Sequence, residues 1–356
     1  MSSPTPRANV LAIPAYVPGK PPTPRDDMTV FKLSSNENPY DPLPGVVEAT
    51  LVEVQRMNRY PDMGSTALFA ALSARLGVPV SDLALATGSV ALIYQIVSAF
   101  CEPGDEVVFA WRSFEAYPIA VSACAATSVQ VPVTADGRHD LDAMAAAITE
   151  RTKVVLVCTP NNPTGPSVTQ AELDAFLARV PAHVLVVVDE AYVEFVRMDD
   201  PVDGVATYAK HPNVVVTRTF SKAYGLAGMR VGYAIASPDL AGALRAVSLP
   251  FGISAMAQAA AIASLEAESE LLERVSLLVA ERDRVVAGIR SAGWDIPEAQ
   301  GNFVWFGLGD RTAEFAAAAD ARGIVVRPFA GEGARVSIGE VEANDRLIEL
   351  ARDFAS

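Results

Sequence analysis

Short apolar segments alternate with helical segments between residues 83 and 236, and this alternation constrains the fold more than any other feature. Each predicted strand is apolar throughout instead of at every second position, which is typical of strands buried on both faces of a sheet. We therefore predict an α/β fold with a mostly parallel, doubly wound sheet covered by helices on both faces. The predicted strands are 83–87, 106–110, 128–133, 153–158, 184–188, 214–217 and 232–236.

The pattern of predicted helices and strands changes after about residue 245, and this change predicts a second domain. A long helical stretch over 255–290 is followed by shorter strands and helices, typical of a smaller α+β domain. We assign 51–245 to a large domain, 31–50 and 246–356 to the small domain, and the proline-rich residues 1–30 to an N-terminal arm.

The charge balance excludes some classes of function. The net charge is -14 and the isoelectric point is near 4.7, which argues against a nucleic-acid partner or an anionic membrane surface. The longest apolar run, 90–101, is shorter than the roughly 20 residues that cross a membrane. Three cysteines without framework spacing and a head without an apolar leader predict reduced thiols in the cytoplasm.

Polar or glycine-rich turns follow four of the predicted strands, and ligands of open α/β sheets bind beyond the carboxyl ends of strands. Thr87-Gly88-Ser89-Val90 opens a helix, so it is either a plain N-cap or a phosphate site. The turn 160–165 is either an ordinary loop or a ligand contact.

The other two strand ends carry charged groups. Asp189 ends a strongly apolar strand, where a carboxylate is costly unless it is paired, and Tyr192 follows it by three residues. Asp189 is either a turn residue or the counter-ion of a buried cation. Lys222 follows the strand 214–217 and lies among hydroxyls and glycines. It is either a surface lysine or an amine nucleophile made reactive by desolvation.

A phosphate site, a carboxylate for a cationic ring nitrogen, a phenol and an imine-forming lysine together describe a pyridoxal 5'-phosphate site. Four motifs strengthen this interpretation, and in this order they resemble the fold-type I aminotransferases, most closely the histidinol-phosphate aminotransferase branch. They are Asn-Asn-Pro-Thr-Gly at 161–165, Asp-Glu-Ala-Tyr at 189–192, Ser-Lys-Ala-Tyr-Gly-Leu-Ala-Gly at 221–228 and Arg-Val-Gly-Tyr at 230–233.

Further motifs at 33–39 and 59–62 extend the resemblance over nearly the whole chain. Within the branch, the segments 16–20, 111–117 and 304–306 are similar to the actinobacterial aromatic amino acid aminotransferases, often called phenylalanine aminotransferases. The resemblance implies the fold of aspartate aminotransferase-like enzymes. It also implies a homodimer in which Tyr60 and Tyr16 reach the site of the other subunit.

The resemblance also implies a role for each matching residue. Lys222 attaches to the cofactor as an imine and then moves the proton at the substrate α-carbon, and Asp189 pairs with the ring nitrogen. Asn162 and Tyr192 hydrogen-bond the phenolic oxygen of the ring, and Phe114 stacks on its face. The residues expected around the cofactor phosphate are Gly88, Ser89, Val90, Thr219, Ser221 and Arg230, with Tyr60 from the second subunit.

For the substrate, the resemblance points to two arginines. Arg335 matches the residue that holds the anionic head and Arg327 a second anion contact, while Tyr16 and Asn38 are expected in the substrate pocket. An α-carboxylate and a phosphate ester both suit these arginines. Phe114 stands where the histidinol-phosphate enzymes usually show a tyrosine, which favours aromatic substrates.

The resulting hypothesis is ping-pong transfer of an amino group from an aromatic amino acid to 2-oxoglutarate, which gives glutamate. The alternative is histidinol-phosphate aminotransferase, and more distant alternatives are a pyridoxal-phosphate lyase or decarboxylase and a regulatory module. His139, His183 and His211 show no metal spacing, so no metal site is predicted, and each is expected at the surface or in a turn.

Overall fold

The computed structural model describes residues 3–13 and 19–355. Tyr16, a predicted substrate contact, lies outside the described residues. The strands are β1 (Phe31–Lys32), β2 (Leu83–Ala86), β3 (Glu106–Trp111), β4 (Thr127–Pro132), β5 (Thr152–Cys158), β6 (Leu185–Asp189), β7 (Val214–Thr219), β8 (Gly232–Ile235), β9 (Phe303–Gly307), β10 (Ile324–Val325), β11 (Arg327–Phe329) and β12 (Gly333–Ser337).

Helices flank these strands along the chain. They are α1 (Ala8–Leu11), α2 (Pro44–Val54), α3 (Thr66–Leu76), α4 (Ser89–Phe100), α5 (Ala116–Ala123), α6 (Leu141–Ala146), α7 (Gln170–Leu177), α8 (Gly204–Lys210), α9 (Pro238–Ala246), α10 (Ala255–Glu266), α11 (Glu268–Ser291), α12 (Thr312–Ala321) and α13 (Val341–Ala355). Within the described residues, none of them is both long enough and apolar enough to cross a bilayer.

A seven-stranded sheet forms the centre of the larger part, with the order β2-β8-β7-β6-β5-β3-β4. Its neighbours from β7 through β4 pair in parallel, and only β8 runs antiparallel to the strands beside it. The connection from β7 to β8 contains no helix, so the chain returns beside the strand it has just left. The predicted mostly parallel α/β fold is confirmed.

A second, antiparallel sheet has the order β11-β12-β9. The short strand β1 pairs in parallel with β10, so the segment after the N-terminal arm is attached to the C-terminal part of the chain. This pairing agrees with a small domain formed by two separate segments. The boundaries at 50/51 and 245/246 stay predictions.

Several predicted elements differ in their limits. The stretch 255–290 is two helices, because α10 packs against α2 and α3 whereas α11 packs against α13, and the chain changes direction at Ala267. The sequence predicts one strand over 324–328, whereas the structure has two short strands, β10 and β11, which pair in different sheets. The sequence predicts a helix over 51–57, whereas α2 begins earlier, at Pro44, since the fixed φ of proline suits the first position of a helix.

The sequence also predicts a capping box at Thr169 and Glu172 and an N-cap at Asp140. Thr169 and Glu172 form the expected reciprocal capping box at the start of α7, and Asp140 caps α6. His139 is a correction, because its side chain is buried instead of lying at the surface. Burial lowers its pKa to about 4, since the charged imidazolium would lose its hydration.

Candidate active site

A cavity of about 260 Å³ lies beyond the carboxyl ends of β5, β6 and β7, and β11 and β12 close its other side. This is the edge at which the sequence predicts a ligand. The predicted site residues that line it are Ser89, Val90, Phe114, Asn162, Asp189, Tyr192, Thr219, Ser221, Lys222, Arg230, Arg327 and Arg335.

Asp189 is the last residue of β6 and is buried in the floor of the cavity. The Tyr117 hydroxyl donates to its Oδ2 at 2.6 Å, and the Thr217 hydroxyl donates to its Oδ1 at 3.2 Å. Desolvation raises the pKa of Asp189, and these two hydrogen bonds oppose that effect. A buried carboxylate held in this way is suited to pairing with a cation brought by a ligand.

Lys222 enters the cavity from the loop after β7. Its Nζ donates to the carbonyl oxygens of Ser35 at 3.2 Å and Asn36 at 3.3 Å. Desolvation, followed by the positive charge of Arg335, lowers the pKa of Lys222 to about 7. A large part of this amine is therefore uncharged near neutral pH, which a nucleophilic lysine requires.

Hydrogen-bond donors surround one end of the cavity. Arg230 Nη1 donates to the Ser221 hydroxyl at 3.1 Å, and the Thr219 hydroxyl donates to the Ser221 hydroxyl oxygen at 3.0 Å. Gly88 precedes α4 with a φ of +86°, and a Cβ atom there would collide with the Arg230 guanidinium. A helix N-terminus, two hydroxyls and a guanidinium around a space without a side chain form a suitable site for a phosphate group.

Asn162 and Tyr192 line the cavity between the seven-stranded sheet and the β11-β12-β9 sheet. Asn162 Oδ1 accepts a bond from Arg335 Nη1 at 2.6 Å, and the Tyr192 hydroxyl oxygen accepts one from Asn36 Nδ2 at 3.0 Å. Burial raises the pKa of Tyr192, so the phenol keeps its proton. Its O–H can therefore donate to an oxygen on a bound ring.

The opposite wall carries both predicted arginines. Arg327 on β11 and Arg335 on β12 are direct cross-strand partners, and both side chains are buried. Arg335 Nη2 donates to the Ser34 carbonyl oxygen at 2.7 Å, and Arg327 Nη2 pairs with Glu115 Oε2 at 2.6 Å. Two guanidiniums therefore lie close together on the wall that faces Lys222.

Two predicted residues lie elsewhere. Asn38 donates from Nδ2 to the Ala223 carbonyl oxygen at 3.0 Å, so its amide holds the loop that carries Lys222, and its contact with substrate stays a prediction. Tyr60 is 82% exposed, with its ring 4.6 Å from the ring of Phe251, so within a single chain it does not contribute to the cavity.

Two further residues, for which no role was predicted, support the cavity. Asn36 is buried with a φ of +51°; its backbone N–H donates to the Ser337 hydroxyl at 2.7 Å, and its side chain bonds Ser337 and Tyr192. Tyr117, which supports Asp189, is the second. Asparagine is enriched at left-handed positions, so Asn36 had a sequence signal, whereas Tyr117 stood in a quoted motif without any signal of its own.

The residues fit pyridoxal 5'-phosphate. The missing Cβ atom at Gly88 leaves room for the Arg230 guanidinium beside the N-terminus of α4, and this cation suits the phosphate. The buried Asp189 carboxylate suits a protonated ring nitrogen, and the desolvated Lys222 amine suits an aldehyde. All three lie around one cavity.

Comparison with known proteins decides the family. The family model described as aminotransferase class I and II matches residues 28–350. The chain belongs to the class I and II aminotransferases.

Two relatives within the class I and II aminotransferases cover almost the whole chain. An aromatic amino acid aminotransferase of Streptomyces avermitilis is 58% identical over 99% of this chain and 98% of its own length. One of Thermobifida fusca is 51% identical over 98% of this chain and 96% of its own length.

Solved structures of the family agree with the fold. The histidinol-phosphate aminotransferase of Sinorhizobium meliloti in complex with pyridoxal-5'-phosphate superposes with a TM-score of 0.84 and 29% identity, over 92% of this chain and 93% of that chain. A Thermus thermophilus aspartate aminotransferase mutant superposes with a TM-score of 0.80 at 21% identity, over 91% of each chain. The fold is that of the aspartate aminotransferase-like enzymes.

Proposed function

We propose that this aminotransferase uses pyridoxal 5'-phosphate to move the amino group of an aromatic amino acid to 2-oxoglutarate. The observation that carries the proposal is that an amine with a pKa of about 7 and a buried carboxylate line one cavity. Bound there, the cofactor supplies a sink for the electron pair left when the substrate α-carbon loses a proton.

The chain's own residues have separable roles in this proposal. Thr219, Ser221 and Arg230 hold the phosphate, and Asp189 keeps the ring nitrogen protonated through its negative charge. The Lys222 Nζ would move the proton at the substrate α-carbon. Desolvation suits this step, since it lets the amine accept and return a proton near neutral pH.

Aromatic rings on both sides of the cavity support an aromatic substrate. Phe114 and Phe329 line it, and Trp305 packs edge-on against Phe329 with ring centroids 5.4 Å apart. Arg335 on the same wall offers a planar guanidinium for the α-carboxylate. The relatives named aromatic amino acid aminotransferases, at 58% and 51% identity, support the same substrate class.

We also propose a homodimer in which Tyr60 reaches the other subunit's phosphate. A surface groove of about 1010 Å³ borders the cavity at Val90 and Arg230. Met63 and Leu249, which line this groove, are exposed apolar side chains. An exposed apolar surface of this kind is typical of a protein interface.

Replacing the lysine tests the chemistry. Lys222→Ala should abolish transamination and remove the absorbance of the covalently attached cofactor, while Lys210→Ala, at an exposed lysine that ends α8, should keep both. Full turnover by Lys222→Ala would refute the assignment.

The alternative substrate needs its own measurement. A neighbour at 29% identity is a histidinol-phosphate aminotransferase, and the two arginines suit a phosphate ester as well. We expect kcat/KM for phenylalanine to exceed that for histidinol phosphate, since specificity is the ratio of these constants. The reverse order would establish the alternative.

A further inference from the structure

The second arginine of the cavity has a carboxylate partner within the chain. Arg327 Nη2 lies 2.6 Å from Glu115 Oε2, and the side chains are 8% and 28% exposed. The Arg327 guanidinium also lies over the ring of Phe329, 5.2 Å from its centroid. An ion pair that is mostly withdrawn from water is weakly screened, so it changes the charge that a ligand meets.

Glu115 reaches this position from a different part of the fold. It directly precedes α5 and follows Phe114, and both residues line the cavity. Arg327 lies on β11, opposite Arg335 on β12. The residue before α5 therefore supplies a negative charge to Arg327, one of the two guanidiniums on the wall formed by β11 and β12.

The number of cationic side chains around the anionic group of the substrate decides whether a dianion or a monoanion binds more tightly. A dianion such as a phosphate monoester gains from two adjacent guanidiniums, whereas a carboxylate can be held by one guanidinium with two parallel hydrogen bonds. The Glu115 carboxylate offsets the charge of Arg327 and repels a second negative charge placed beside it. Arg335 on the same wall donates to two uncharged oxygens, Asn162 Oδ1 and the Ser34 carbonyl oxygen.

We propose that Glu115 is a specificity-determining residue that selects monoanionic carboxylate substrates against dianionic phosphate monoesters. This proposal rests on the proposed function, because it explains how one pair of arginines serves an amino acid. The negative charge of Glu115, and not the size of the cavity, then discriminates between carboxylates and phosphate monoesters.

The test compares two unreactive probes on the cofactor-loaded enzyme. Phenyl phosphate and 3-phenylpropionate both carry a phenyl ring, but one is a dianion and the other a monoanion near pH 8. In Glu115→Gln we expect the inhibition constant of phenyl phosphate to fall about tenfold and that of 3-phenylpropionate to change less than about twofold, since one like charge at ion-pair distance is removed. The kcat/KM for histidinol phosphate, divided by that for phenylalanine, should rise by a similar factor.

The chain offers a matched control at the same ring, Phe329. Arg112 lies 5.3 Å from the Phe329 centroid and pairs with Glu332, whose side chain does not line the cavity. Glu332→Gln removes the same charge from an ion pair outside the cavity, so the ratio of the two inhibition constants should stay at its original value. Glu115→Asp, which keeps the charge, should also stay close to the original enzyme.

Each result supports or overturns the proposal. An unchanged ratio in Glu115→Gln, or an equal change in Glu332→Gln, overturns it. If Glu115→Gln does not fold, Arg327→Gln replaces it: the remaining Glu115 carboxylate should then weaken phenyl phosphate more than 3-phenylpropionate, and equal weakening overturns the proposal. A preference of the unsubstituted enzyme for histidinol phosphate would refute the proposed function. The ratio of the inhibition constants of phenyl phosphate and 3-phenylpropionate would still test the role of Glu115.

Discussion

The two walls of the cavity are built in different ways. The wall proposed to bind the cofactor, called the cofactor wall, is formed by Asp189, Thr219, Ser221 and Lys222 and follows directly from the ends of β6 and β7. The wall proposed to bind the substrate, called the substrate wall, is formed by residues 33–38 with β11 and β12 and is held by contacts between distant parts of the chain. The bonds from Asn36 to Ser337 and from Arg335 to Ser34 each join positions 301 residues apart.

This difference separates what each wall depends on. The cofactor wall is fixed once adjacent parallel strands pair, because their carboxyl ends meet at one edge of the sheet. The substrate wall forms only when the segment after the N-terminal arm closes against the C-terminal sheet. Changes on the first wall should therefore impair chemistry, and changes on the second should impair stability and substrate binding together.

The largest effect is expected at Asp189. Asp189→Asn removes the buried charge but keeps the shape of the side chain, so kcat/KM should fall about 10³-fold, as when a preorganised charge is lost from an active site. The unfolding free energy of the cofactor-free chain should change little in the same variant, because desolvation already disfavours the charged carboxylate in the folded chain. Steady-state kinetics and denaturant unfolding measure the two quantities.

Thr217→Val is the control for that substitution. It removes only the 3.2 Å hydrogen bond to Asp189 Oδ1, so the loss in kcat/KM should stay below about tenfold. If Asp189→Asn lost no more activity than Thr217→Val, the cofactor wall would not depend on this charge.

Asn36 gives the second effect, on the substrate wall. Asn36→Ala removes the side-chain bonds to Ser337 and Tyr192 and leaves a Cβ-bearing residue at a φ of +51° without local support. The unfolding free energy should fall by about 2–4 kcal/mol. Because the wall loosens, kcat/KM should fall roughly 10- to 100-fold.

Asn36→Gly separates the two causes. Glycine tolerates the left-handed conformation but makes no side-chain bond. It should restore part of the stability lost in Asn36→Ala and none of the activity. Equal stability of the two variants would show that backbone strain has no part in the effect.

The sequence predicted the cofactor wall and much less of the substrate wall. The fold class was predictable because most strands of the large sheet are continuous apolar runs, and the edge strand β4 is the exception. Asp189 and Lys222 were predictable because a charged residue at the end of such a strand, or in the loop that follows it, lies at the ligand edge. Both predictions rest on local sequence.

Contacts between distant segments were not predictable in this way. Asn36 stands two residues before Asn38 in the same polar motif, and only the fold shows which of the two amides meets Tyr192 and which meets Ala223. The pairing of Glu115 with Arg327 joins positions 212 residues apart, and no local pattern indicates it. Burial of His139 likewise depends on tertiary packing.

A third prediction concerns the lysine that touches both walls. Lys222 belongs to the cofactor wall, yet its Nζ donates to the carbonyls of residues 35 and 36, and the charge of Arg335 lowers its pKa. The rate at which cofactor-free enzyme attaches pyridoxal 5'-phosphate should rise about tenfold from pH 6 to pH 8, because the amine loses its proton near pH 7. Stopped-flow absorbance measures this rate.

Arg335→Gln sharpens the same experiment. Removing that positive charge should raise the pKa of Lys222 and move the midpoint of the rate profile to higher pH. An unchanged midpoint would mean that the two walls are not coupled through charge.

The smallest effect is expected at His139, which is buried beside Asn161, behind the loop that carries Asn162. Its folded-state pKa of about 4 lies below its ordinary value, so the unfolded chain binds a proton between about pH 6.5 and 4 that the folded chain does not. The stability contributed by the neutral ring is complete above pH 6.5 and is lost as the pH falls through this window, by up to about 3 kcal/mol. His139→Gln should flatten that dependence and change kcat/KM at pH 8 less than about twofold, whereas His183→Gln, at an exposed histidine, should leave the dependence as it is. If His139→Gln kept the full pH dependence in denaturant unfolding, another group would be responsible for the loss of stability at acidic pH.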